Sequence, residues 1–265
     1  MERSNYDYVY IARLRSTGSP GIRYKVKETV EAVRRLNRDC RLDIISSGGL
    51  RSVLSFVTAT LFANEKVYLI RSDHFSMLLL APVLLFKRLR GKIIILDVAN
   101  PVRAAYRETW ARKAPLIKRI MLVLLLLVSY PISFWPVHRI QQYGIESWIA
   151  SWGARNKMVL LGNATNTRVV RYRVNSPPYD GHCLVFGMAG HIAYFHGLDR
   201  FIKSMAKHKA AGYPCSIRLM VIGDGFEINV LKKLVSDLGL SDSVDFHEPV
   251  SLIELEAFFE KIHIG

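Results

Sequence analysis

The chain has 265 residues, of which 50% are hydrophobic and 22% charged, with a mean hydropathy of +0.15. This composition excludes a disordered chain and is enough for one large core or two modest ones. Three cysteines, Cys40, Cys183 and Cys215, exclude a disulfide scaffold, and no C-x-x-C pair offers a zinc ribbon or a dithiol redox site. They read as small apolar fillers in a reducing cytosol.

The charge is uneven. Lys and Arg number 37 against 22 Asp and Glu, a net of +15. Residues 1–175 hold 29 Lys/Arg and 11 Asp/Glu, whereas residues 176–265 hold 8 and 11. A basic first unit (1–175) and a nearly neutral second (176–265) suit different partners, the first a polyanion or an anionic lipid surface. The basic residues form no single tract and no nucleic-acid recognition module is evident, so nucleic acid is not expected. Met1–Tyr10 carries Glu2, Arg3 and Asp7 and does not read as a secretory signal.

Short apolar strands alternate with helices along the chain. Tyr8–Ala12 reads as a first strand and Arg15–Gly21 (RSTGSPG) as a glycine- and proline-punctuated loop. Ile22–Leu36 has helical spacing, with Val26, Thr29, Val30, Val33 and Leu36 on one face. Strands follow at Leu42–Ser46, Lys66–Arg71 and Lys92–Leu96, separated by helices at Val53–Phe62 and Phe75–Arg88. From Ile120 to Val137 there is no charge, and Lys113, Lys118 and Arg119 stand just before the segment. It is short for a span, and Pro131 and Pro136 interrupt it. The first expectation is a buried helix, the second an interfacial helix with Trp135 at the boundary.

Strands at His138–Tyr143 and Met158–Leu161 flank a helix around Glu146–Trp152, and Asn175–Gly181 (NSPPYDG) reads as a linker where the charge balance changes. The second unit repeats the pattern. Strands are expected at Cys183–Phe186, Ile217–Ile222 and Val244–Phe246, and helices at Leu198–Lys209, Phe226–Leu238 and Leu252–Phe259. Lys261–Gly265 starts a further strand. The alternation predicts two α/β units with parallel sheets.

Such sheets bind ligands beyond the carboxyl ends of their strands. Three loops qualify: Thr17–Gly21, Gly187–Gly197 (GMAGHIAYFHG) and Gly223-Asp224-Gly225. None matches a P-loop or a G-x-G-x-x-G fingerprint. In the second, Gly187 and Gly190 free the backbone, His191 and His196 offer donors, Asp199 could cap the helix, and Arg200 could fork onto a diphosphate. The two histidines are five residues apart, a poor spacing for two ligands on one helix face, so no metal is expected.

The run Phe195-His196-Gly197-Leu198-Asp199-Arg200, followed by Phe201-Ile202, resembles the HG-x-DR-x-I segment of bacterial retaining family-4 glycosyltransferases of capsule and exopolysaccharide assembly. Val221–Gly225, Leu231-Lys232, Leu238–Leu240 and Val244–Phe246 are similar to that family's second-domain pattern, and Ser16–Tyr24 resembles its first-domain glycine loop. The resemblance implies the GT-B fold, two Rossmann-like domains facing across a cleft. It implies sugar transfer from a nucleotide-diphosphate sugar to an acceptor hydroxyl with retention, without metal or other cofactor. The carried-over donor site is Gly190, His191, His196, Arg200 and Val250. His191 and His196 stand where many members have Arg and Lys, Val250 stands where the main chain holds the base, and Glu248 replaces a nearby glycine. Gly18 and Gly21 match the first-domain loop, and Asn100 in Asp97–Pro101 is the nearest candidate for the histidine by the reacting sugar. Members also carry two glutamates separated by seven residues, beyond the point where this chain ends, so the resemblance implies an incomplete, C-terminally truncated second domain.

The expected protein is thus a cytoplasmic enzyme, peripheral on the inner face of the cytoplasmic membrane, with a lipid-linked or saccharide acceptor. The alternatives are a catalytically inactive remnant that only binds membrane or partners, and a nucleotide-sugar epimerase of the same architecture.

Overall fold

The computed structural model describes residues 6–15, 20–98, 102–111, 114–142, 153–161 and 178–265. The chain divides into two compact units, Met1–Asn163 and Ala164–Gly265. The expected boundary at 175/176 and the expected helix at 146–152 lie outside the described residues.

The first unit holds strands β1 (Tyr8–Arg15), β2 (Cys40–Ser47), β3 (Val67–Arg71), β4 (Ile93–Asp97), β5 (Arg139–Gln142) and β6 (Met158–Leu160). They form one sheet in the order β2-β1-β3-β4-β5-β6, with every pairing parallel. Parallel strands covered on both faces read as near-continuous apolar runs, which is why β1 and β4 are legible as sequence. Period-two alternation sorts β1. Val9 and Ile11 point into a core with Phe56, Leu80, Leu84 and Tyr130. Tyr10, Ala12 and Leu14 join Val26 and Val30 on the other face. Helix α1 (Pro20–Arg35) covers that second face. Helices α2 (Gly49–Phe62), α3 (His74–Leu89), α4 (Val102–Ala111) and α5 (Leu116–Phe134) pack on the first. Asp73 caps α3, accepting from the Ser76 N–H at 3.1 Å.

Two expectations change here. Pro20 and Gly21 are the first residues of α1, so Gly21 is helical rather than a loop glycine; proline's fixed φ favours the first helical turn. The apolar segment forms a 19-residue helix that keeps Pro131 within it and has only five buried residues, so it is not a buried helix. Its inner residues Leu126, Ser129, Tyr130, Ser133 and Phe134 are in the protein core, so α5 is built into the unit. Helix α4 was not anticipated from the sequence.

The second unit holds β7 (Cys183–Ala189), β8 (Ser216–Ile222) and β9 (Val244–His247) in a parallel sheet of that order. Helices α6 (Leu198–Ala210) and α7 (Ile228–Asp237) supply Ile202, Met205, Leu231 and Val235 to one core face. Helix α8 (Leu252–Phe259) brings Leu255 and Phe258 to the other, against Met220 and Ile222. A reciprocal cap starts α8. The Glu254 N–H reaches the Ser251 hydroxyl at 3.3 Å, and the Ser251 N–H reaches the Glu254 carboxylate at 2.8 Å.

Gly187 belongs to β7, not to the loop after it. The closing residues run alongside it. Phe186 bridges Ile264 in parallel, and the Gly187 N–H donates to the Ile264 carbonyl at 2.8 Å. The Ile262 side chain occupies the space that a Cβ on Gly187 would need, so this strand contact requires glycine.

Candidate functional site

Parallel pairing puts the carboxyl ends of β7, β8 and β9 at one edge of the second sheet. Three connections leave from that edge: residues 190–197, 223–227 and 248–251. The first two interlock. The Gly190 N–H donates to the Ile222 carbonyl at 2.9 Å, and the Ile192 N–H to the Asp224 carbonyl at 2.7 Å. The Gly223 N–H donates to the His247 carbonyl at 3.0 Å, tying in the end of β9. Gly223 has φ +134°, and a Cβ there would strike the Gly190 carbonyl oxygen. Gly225 is as tight, against the Ile192 backbone. These glycines let two main chains pack directly on one another, the use of Gly-Asp-Gly that spacing alone does not reveal.

Gly190 has φ +136°, and a Cβ on it would meet nothing within 4 Å. Its own N–H is engaged, so what it offers a ligand is an unobstructed Cα face rather than a donor. The structure describes no hydrogen-bond partner for the next N–H, that of His191. The His191 imidazole lies 3.5 Å from the Asp224 carboxylate, beyond good hydrogen-bond geometry, and edge-on to Phe226 at 5.3 Å.

His196 has a different part from the one expected. It sits in a single 3-10 turn, Tyr194–His196, and its Nδ1 accepts the Ala193 N–H at 3.1 Å. Partial burial, with nearby His191 adding to the effect, holds its pKa below the usual histidine value. Because Nδ1 is an acceptor here, a neutral His196 carries its proton on Nε2 and is a neutral donor rather than a standing cation.

Gly197 (φ +71°) begins α6 without a side-chain cap, leaving the first N–H groups of the helix directed out of its end. The Arg200 guanidinium folds over Gly197, with its terminal nitrogen 2.5 Å from where a Cβ would be. Arg200 is otherwise exposed. Asp199 does not cap the helix; it pairs one turn on with Lys203 at 3.6 Å. Val250 packs its side chain with Met220, Ile222 and Ile262, so any ligand contact there falls to its main chain, and Glu248 is exposed. The edge therefore gathers Gly190, His191, His196, Arg200 and Val250 on connections of one sheet. It combines an open glycine face, a helix N-terminus and a cation, the components that hold an anionic group.

The first unit's carboxyl edge holds a second polar cluster that the sequence reading missed. Asp97, the last residue of β4, is buried. It accepts from the Tyr10 hydroxyl at 2.5 Å, from Arg71 at 2.7 Å and from Lys25 at 3.3 Å. Burial lowers the Lys25 pKa to about 8, against the opposing pull of Asp97. Register explains the meeting: Ile70 opposes Leu96, so the residues that follow them, Arg71 and Asp97, leave neighbouring strands together. Asn100, the sequence candidate from this segment, and Gly18 lie outside the described residues. Among those residues, no three His, Cys, Asp or Glu side chains are grouped as metal ligands.

The sequence itself matches neither a family model nor a curated protein. The architecture does have solved counterparts. The apo form of the lipopolysaccharide outer core galactosyltransferase WaaB superposes over 92% of this chain and 68% of its own, with a TM-score of 0.53 and 11% identity. WaaG, a glycosyltransferase involved in lipopolysaccharide biosynthesis, superposes over 95% of this chain and 72% of its own, with a TM-score of 0.58 and 12% identity. The chain has the two-domain Rossmann-like fold, of the GT-B type. At these identities the likeness concerns fold alone.

Proposed function

We propose that the protein is a glycosyltransferase. It takes a sugar from a nucleotide-diphosphate donor and transfers it to an acceptor hydroxyl in cell-surface polysaccharide or glycolipid synthesis. The observation that carries this reading is the edge of the second unit. There, the connection that follows β7 carries the open face of Gly190 at its start and the uncapped N-terminus of α6, with Arg200 in its first turn, at its end. A departing nucleoside diphosphate needs such a surface, with fixed dipoles and a cation placed where negative charge develops as the glycosidic bond breaks. His196, as a neutral Nε2 donor, can add a hydrogen bond without requiring a low pH. The fold shared with WaaB and WaaG, both named for lipopolysaccharide glycosyl transfer, supports the same class. Retention at the anomeric carbon and a lipid-linked acceptor come from the family resemblance and belong to this proposal.

The test is two-stage. Calorimetric titration with UDP, GDP and ADP is expected to show saturable binding of one of them that uridine, guanosine or adenosine alone does not reproduce. Incubation with the corresponding sugar nucleotides and a lipid extract is then expected to move label from nucleotide to acceptor. Failure of every nucleoside diphosphate to bind would overturn the proposal. Binding without transfer would favour the inactive-remnant alternative, and acceptor-independent interconversion of the sugar would favour an epimerase.

A further inference from the structure

The outer side of α5 has the wrong chemistry for water. Ile117, Met121, Leu124, Val128, Ile132 and Trp135 are 74, 65, 55, 49, 41 and 67% exposed. Their spacing of three and four residues makes them one continuous stripe, with α5's core residues on the opposite side. At 1.5 Å per residue the stripe is about 27 Å long. It exposes on the order of 700 Å², more than the largest apolar patch usual on a soluble monomer. Helix α3, packed on the same sheet face, also exposes Leu79, Phe86 and Leu89.

Both ends of the stripe are basic and aromatic. At the start, Lys118 is exposed, and Arg119 donates to the Trp110 carbonyl at 3.1 Å with its guanidinium 5.5 Å from the Trp110 ring. Trp110 itself is 54% exposed. At the far end, Arg88 donates to the Trp135 carbonyl at 2.9 Å, and Lys157 donates to the carbonyls of Phe134 and Trp135 at 3.0 Å. Across residues 74–160 the sequence has 13 Lys/Arg and three Asp/Glu, one of which is the buried Asp97.

We propose that this face of the first unit docks on an anionic lipid bilayer. Helix α5 lies in the membrane plane, with its apolar stripe at the boundary between headgroups and acyl chains. Charge selects the occupant: cations at both ends complement acidic headgroups, and tryptophans at both ends suit the interface. In-plane docking follows because Ser129, Tyr130, Ser133 and Phe134 are committed to the protein core, and a spanning helix would pull them out. The proposal extends the functional reading by naming the surface at which a lipid-linked acceptor is met, at the inner face of the cytoplasmic membrane.

The experiment is co-sedimentation of the full chain with vesicles of phosphatidylcholine alone or with about a quarter phosphatidylglycerol, in rising salt. The wild type is expected to prefer the anionic vesicles and to release with salt. Its tryptophan emission is expected to be quenched by lipids brominated on the acyl chains. Ile117→Glu with Met121→Glu should lower vesicle affinity about tenfold or more. The two sites are the most exposed large apolar side chains on α5, so the melting temperature should not move. Because a fold defect would also reduce binding, Lys118→Gln serves as a second variant: it is expected to weaken binding to anionic vesicles only at low salt. Equal binding of wild type and double variant, no preference for anionic vesicles, or a solution dimer that the double variant dissociates would each overturn the proposal. No readout uses a sugar nucleotide, so nucleoside-diphosphate titration of the same protein separates failure here from failure of the glycosyltransferase reading.

Discussion

Gly223→Ala tests whether the turns at the second unit's carboxyl edge form one structural object. Alanine at φ +134° is strained, and its methyl group would strike the Gly190 carbonyl. Gly212 supplies the control: its φ is +67°, and a Cβ there meets nothing within 4 Å. Gly212→Ala should therefore cost only the left-handed backbone penalty, about 1 kcal/mol. Gly223→Ala should cost a comparable strain and about 1–3 kcal/mol more for moving a neighbouring main chain that cannot rotate away. A gap of about 2 kcal/mol between the variants is a large fraction of the stability of a typical domain. Urea denaturation followed by circular dichroism reads it, and calorimetry of the same samples reads nucleoside-diphosphate affinity. Affinity should fall about tenfold or more in Gly223→Ala, because the shifted Gly190–His191 segment no longer faces the ligand, and should hold in Gly212→Ala. Equal stability loss and equal affinity in the two variants would refute the reasoning.

Asp97→Asn should destabilise the first unit by about 3–5 kcal/mol, since Arg71 is left buried without its carboxylate. Adding Arg71→Met should return part of that loss; a single-variant cost below about 1 kcal/mol would contradict the hub. His138 accepts the Ile94 N–H on Nδ1 at 3.1 Å, and burial, with nearby Arg88 and Lys157, holds its pKa below the usual value. Its folded form therefore binds fewer protons than its unfolded form in mild acid. Its contribution is complete above the unfolded value and is lost as pH falls toward the folded one. A urea midpoint series from neutral into mild acid should show a decline that His138→Gln flattens. Arg200→Ala should weaken nucleoside-diphosphate binding about tenfold while leaving binding of the nucleoside alone unchanged. Equal losses for both ligands would remove Arg200 from the diphosphate.

Most strands were legible because double-faced burial writes them as apolar runs. Boundaries moved where a local rule acts beyond that pattern. Proline at a first helical turn drew Gly21 into α1. Gly187 continues β7 because a neighbouring segment presses on it, and that segment is more than seventy residues away in sequence. The Ile120–Val137 run showed an apolar helix but not its exposure, since hydropathy has the same value facing a core or facing outward. Asp97 was passed over for Asn100 because its partners Tyr10, Lys25 and Arg71 are brought together only by strand order. The donor-side residues were named from a motif. What the motif did not contain is that His196 is an acceptor within its own turn, and that Gly223 and Gly225 are spacers between two main chains.

Backbone hydrogen exchange with and without a saturating nucleoside diphosphate addresses the donor edge directly. Slowed exchange concentrated in residues 187–200, 223–225 and 248–251, absent with the nucleoside alone, is the predicted result. No slowing in those three segments at saturation, or slowing confined to other parts of the chain, would contradict the placement of the diphosphate beside Gly190 and the N-terminus of α6.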